Sequence, residues 1–150
     1  MIKSNMYKKV EVITMNETKK KEYTNMLNRK DQREIVIIKL YEYDLLSQRI
    51  IAGTNYDFID DSVKIILENL EKIDEIISLN LTNWSIKRLN YVDRAILRFA
   101  VYELYYTETP YEIVINEALN LTRKFTDVGD DKMVGFTNRV LENINEYLKK

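Results

Sequence analysis

Arg29, Lys30 and Arg33 are the residues whose type and spacing point most directly to chemistry. They crowd the front of the stretch NRKDQREIVIIKLYEYDLLS. Cations at a helix N-terminus oppose the macrodipole, so helix stability is a poor reason for three of them there. A bound phosphate reverses the argument, because free backbone N–H groups and basic side chains then face the same anion. The alternative is a charged end balanced by Asp31 and Glu34. A second basic run, Lys19-Lys20-Lys21, is either solvated or a further nucleic-acid contact. Other chemistry is narrowed by what is missing. The chain has no histidine and no cysteine, which removes disulfides, imidazole and thiolate metal sites, and every catalytic scheme that needs His or Cys. Asp60, Asp61, Glu68, Glu71, Asp74 and Glu75 are scattered along one striped stretch and read as its wet face; such scatter is weak support for a divalent cation. No catalytic residue, metal or cofactor is expected.

The elements that must position these cations are helical. With 150 residues, three glycines and one proline, the chain is one domain's worth and lacks the turn residues of a protein rich in hairpins. Its net charge of −1 hides an asymmetry: residues 1–33 hold nine Lys/Arg against four Asp/Glu, and the remainder holds 14 against 20. A basic front on a mildly acidic body implies a localised anion-binding surface. No apolar run approaches the ~18 residues needed to span a bilayer. The start, MIKSNMYKKV, has no signal-peptide core. A soluble cytoplasmic protein is expected.

Asn28 to about Ser47 reads as a helix. Ile35–Ile38 alone could pass for a buried strand, but Leu40, Tyr41 and Leu45 continue the apolar pattern at helical spacing. Asp57 to about Leu79 reads as the next helical stretch, with Ile59, Val63, Ile66, Leu67, Leu70, Ile73 and Ile77 as its stripe. A short helix from Trp84 to Leu89 follows, with Trp84 read as core. Tyr91–Tyr106 is apolar almost all round except for a strip through Arg94, Arg98 and Tyr102, so it belongs inside a bundle; Asn90 and Asp93 mark its start. Thr109 as cap, Pro110 at the first helical position and Glu112 mark another helix, whose core face is Ile113, Val114, Ala118, Leu121 and Phe125. After a loop turned at Gly129, the last helix runs from about Lys132 to Leu148, with Phe136, Val140, Ile144 and Leu148 on one face. No internal repeat or second domain is evident.

Read in order, these motifs resemble the NusB family of transcription antitermination factors. The resemblance is carried by Trp84, Asp93-Arg94-Ala95-Ile96-Leu97-Arg98, Tyr102-Glu103-Leu104, Pro110, Ile115-Asn116-Glu117-Ala118 and Phe136-Thr137-Asn138-Arg139-Val140-Leu141-Glu142. Arg29-Lys30, Arg33-Glu34 and Leu40-Tyr41 are similar to the family's arginine-rich front helix. Roughly residues 28–148 are covered, leaving residues 1–27 as an N-terminal extension, mobile in part, before a helical domain at 28–150.

The resemblance implies an all-α, NusB-like bundle of about six to seven helices in two small subdomains. It implies a non-enzymatic factor that binds boxA-type single-stranded RNA of ribosomal RNA leaders together with NusE, a ribosomal protein, within the RNA polymerase antitermination complex. Arg29, Lys30, Arg33 and Tyr41 would meet RNA, with Lys132 and Phe136 bordering the same surface; Asp93 and Arg94 would face NusE. Four features depart from the family pattern: Asp31 inside the basic cluster, Gly135 where a lysine commonly precedes the phenylalanine, Arg139 in place of a small residue, and a short stretch between Ser47 and Asp57 that implies a missing helix. A protein-interaction scaffold without RNA binding, and a stand-alone relative of the helical N-terminal module of ribosomal RNA methyltransferases, are the alternatives.

Overall fold

The computed structural model describes residues 27–46 and 52–150. Nearly all of the expected extension, the Lys19–Lys21 run and the far end of the first helix at Ser47 fall outside those residues. The described chain is helical throughout: α1 (Arg29–Leu45), α2 (Asp57–Glu68), α3 (Leu70–Leu79), a 3-10 turn (Ile86–Arg88), α4 (Tyr91–Tyr106), α5 (Tyr111–Phe125) and α6 (Lys132–Leu148).

Helix α4 is the axis. Every residue from Ala95 to Glu103 is buried, including Arg98 and Tyr102 of its supposed polar strip. Burying that strip is feasible because Arg98 is saturated. Its guanidinium donates to both oxygens of Asp74 at 2.9 Å and to both oxygens of Asp44 at 3.1 and 3.0 Å. Burial pulls the Arg98 pKa down, but Asp74 and then Asp44 more than reverse it. Asp74, expected on a wet face, therefore meets Asp44 in one ion cluster that joins α1, α3 and α4.

Helix α1 runs antiparallel to α4. Arg33 reaches Glu103 at one end, and Asp44 reaches Arg94 and Arg98 at the other. Ile35, Val36 and Ile37 are fully buried and Ile38 nearly so. The strand-like run is thus a helix buried on all sides, packed against α2 and α4. Each such side chain contributes about 1.5–3 kcal/mol relative to exposure.

The helical stretch expected over Asp57–Leu79 is present as two helices that part at Asn69, whose side chain donates to the Ile65 carbonyl at 2.8 Å and whose backbone leaves helical geometry at φ −119°, ψ 23°. Trp84 is not core; it is 52% exposed and the helix around it shrinks to one 3-10 turn. At the start of α5, Pro110 is itself the cap and Thr109 makes no capping bond, because its hydroxyl pairs with that of Thr107 at 2.9 Å. Ile113, expected on the core face of this helix, is instead 46% exposed. The acidic face also does more than meet water, since Asp60 accepts from the Thr54 backbone N–H and hydroxyl, both at 2.9 Å, to close the turn before α2. Among the described residues no acidic cluster could hold a metal ion, and no helix is long and apolar enough to cross a membrane.

Candidate nucleic-acid interface

The first turn of α1 is held by a reciprocal cap. Asn28 Oδ1 accepts from the Asp31 N–H at 2.8 Å, and Asp31 Oδ2 accepts from the Asn28 N–H at 3.4 Å. This explains an acid inside the basic cluster: Asp31 is part of the cap that fixes where Arg29 and Lys30 point.

The three cations then diverge. Arg29 is exposed, and its guanidinium carbon lies 3.9 Å above the Phe58 ring, which abuts Phe99 edge-on at 6.1 Å. Stacking leaves the planar donor fork open to solvent and limits its wandering, a geometry suited to phosphate. Lys30 is exposed and lines a recess of about 290 Å³ between α1 and α5, together with the cations Arg123 and Lys124 and the acids Glu34 and Glu117. Arg33 does neither. It is buried, and Nε and Nη2 donate to Glu103 Oε1 and Oε2 at 3.2 and 3.1 Å. It fastens α1 to α4. Glu34, also buried, accepts from Lys124 Nζ at 2.7 Å and fastens α1 to α5.

The remaining candidates sit elsewhere. Tyr41 is half-buried against Tyr91 at 6.3 Å, about 18 Å along α1 from Arg29 at 1.5 Å per residue. Lys132 is exposed at the start of α6, one turn before half-buried Phe136, whose ring meets Trp84 edge-on at 6.4 Å. Among the described residues neither Lys30 nor Lys132 has an ion-pair partner.

Asp93 is 3% exposed and works within α4: its N–H donates to Asn90 Oδ1 at 2.8 Å, and Asn90 Nδ2 donates back to Oδ2 at 2.6 Å. Burial pushes the Asp93 pKa above its ordinary 3.8, against weaker pulls from Thr126 and Asn90. Arg94 is partly buried, lies 5.1 Å from the Tyr91 ring centre and donates to the Lys87 and Leu89 carbonyls at 3.3 and 3.4 Å.

Sequence reasoning missed Arg123 and Lys124. Their signal was present as two cations in the last turn of α5, where they complement the helix dipole; what was missing was that this turn lies beside the first turn of α1.

Comparison with known proteins decides the family. Residues 5–146 match the model of the NusB family. The chain belongs to that family. The match reaches into residues 5–27, which the motifs alone left without a counterpart. The transcription antitermination protein NusB of Bacillus licheniformis is 38% identical over 132 residues, spanning 82% of this chain and 100% of the relative. That of Nitratiruptor sp. is 38% identical over 136 residues, spanning 83% and 96%. Among solved structures, T. maritima NusB superposes with a TM-score of 0.69 at 29% identity, covering 80% of this chain and 92% of the other. A complex of antitermination factors NusB and NusE with double-stranded RNA gives a TM-score of 0.66 at 29% identity, covering 79% and 96%.

Proposed function

We propose that this protein is a transcription antitermination factor that binds boxA-type RNA of ribosomal RNA leaders together with NusE. It works within the RNA polymerase antitermination complex in the cytoplasm and carries out no enzymatic step. The observation that supports this most is the capped first turn of α1, where Arg29 stacks open-handed on Phe58 and Lys30 overhangs a recess shared with Arg123 and Lys124. Arg29, Lys30 and Lys132 take phosphates, and Tyr41 and Phe136 take bases further along the same strand. Arg33 serves the site from beneath by anchoring α1. On the NusE side, Asp93 and Arg94 shape the surface that Tyr91, 39% exposed, presents.

Three cations on a single strand are a modest footprint, which suits a protein that needs a partner for tight binding. The test is a gel-shift titration of boxA RNA with and without NusE at two salt concentrations, with single- and double-stranded forms compared. NusE should tighten binding to boxA RNA and leave a scrambled RNA unaffected. Equal affinity for both RNAs would overturn the proposal. Arg33 and Lys124 are already committed to carboxylates, which is the observation favouring a scaffold without RNA binding. That reading predicts NusE binding and no RNA shift in either condition.

A further inference from the structure

Trp84 stands out as a large aromatic side chain left 52% exposed while Val92, Ala95 and Leu97, just beyond it, are sealed in the core. Among the described residues its one ring contact is the edge-on meeting with Phe136 at 6.4 Å, across 52 residues of sequence. Two elements thus bring together an indole face open to solvent and a second ring that steadies it.

The backbone on both sides is unusual. Asn83, immediately before Trp84, has φ +66°, and Asp131, immediately before Lys132, has φ +57°. Residues other than glycine adopt this left-handed region at some cost, and it is enriched at ligand clamps. Here it sets the direction in which Trp84 and the first turn of α6 leave their loops.

The surroundings are basic. Lys87 and Arg88 are exposed in the 3-10 turn just after Trp84, and Arg94 braces that turn by donating to the Lys87 carbonyl. Lys132 and Phe136 share a face of α6, one turn apart. Of the three acids in the adjoining loop, two are folded onto its own backbone, Asp127 accepting from the Gly129 and Asp131 N–H groups and Asp130 from that of Lys132, while Asp131 is exposed beside Lys132. A Cβ placed on Gly135, next to Phe136, would meet nothing within 4 Å.

We propose that Trp84, backed by Phe136, is a stacking platform for one unpaired base of a single-stranded RNA, with Lys87 and Lys132 taking the phosphates on either side. An open indole face flanked by cations matches the alternation of base and phosphate along a single strand. An apolar protein partner would gain from the ring but not from the lysines. The inference rests on the RNA-binding reading above and extends it to a residue and an element outside that reading.

Trp84 is the sole tryptophan, so its emission reports on this site alone. The full-length protein, with NusE present, is titrated with a short boxA-type RNA. Indole emission is followed in parallel with the anisotropy of an end-labelled copy. Quenching with the same midpoint as the anisotropy is expected. Trp84→Ala should weaken binding about tenfold, with Trp84→Phe recovering most of it. Circular dichroism of both variants should match the parent, since the side chain is exposed. RNA binding that leaves Trp84 emission and Trp84→Ala affinity unchanged overturns the platform while the RNA-binding reading stands. An emission change on adding NusE alone, with Trp84→Ala weakening NusE and not RNA, overturns it in favour of a protein contact. Failure of the parent protein to bind RNA at all overturns the underlying reading and the platform with it.

Discussion

Arg33 shows how a residue type fails to disclose its job. In sequence it is one of three equivalent cations; in the fold it is buried and bonded twice to Glu103. Glu103→Gln leaves that guanidinium without a counter-charge and should lower the free energy of unfolding by about 3 kcal/mol, read as a fall in the urea midpoint. Arg29→Ala and Lys30→Ala touch no such pair. They should weaken RNA binding several-fold while the free energy of unfolding from urea titration stays within about 0.5 kcal/mol of the parent. Gly135 invites the opposite experiment. It is exposed within α6 and has open space where a Cβ would go. Gly135→Lys should stabilise α6 by about 0.5–1 kcal/mol and steepen the log–log salt dependence of RNA binding by about 0.7. For Asp93 the sign follows from burial, which raises its folded pKa above the ordinary 3.8. The folded state then holds the proton more tightly than the unfolded chain. The stability that this contributes is present below that value and lost as pH rises through the raised one. Asp93→Asn removes the titration, so urea midpoints of parent and variant compared across that window should show the parent losing ground as pH rises.

At the scale of elements, the bounds of α4 and α6 were legible because their signals are local. Asn90 with Asp93 marks one start, and the left-handed Gly129 at φ +97° turns the loop before the other. Helix α1 was equally legible from Asn28 onward, and its cap offers a clean test. Asn28→Ala should reduce stability by about 1 kcal/mol, seen in chemical denaturation, and should weaken RNA binding as the first turn frays. What could not be read were features set by neighbours. Asn69 carries no proline or glycine warning, yet α2 and α3 part there because its amide prefers the Ile65 carbonyl. Trp84 looked like packing because tryptophan usually is, and only the collapse of its helix to a 3-10 turn exposes it. Within the site, Arg29 and Lys30 were legible as cations at a helix start. The aromatic seat under Arg29 and the approach of Arg123 and Lys124 were not, since both depend on contacts between helices distant in sequence.

For the molecule as a whole, the charge split matters more than the net charge of −1. The proposed site engages only a few cations, so the salt slope of RNA binding should be shallow, about −2 to −3 on log–log axes; a slope near −6 would require a far larger basic surface. The same few cations hang on a helix whose anchors are remote: Arg33 waits for Glu103, Asp44 for Arg98, and Glu34 for Lys124, separations of 70, 54 and 90 residues. A nascent chain emerges from the ribosome N-terminus first. Helix α1 therefore leaves the exit tunnel long before its counter-ions do. Its buried charges stay hydrated until α5 has been synthesised, and the RNA-facing turn becomes rigid only after that.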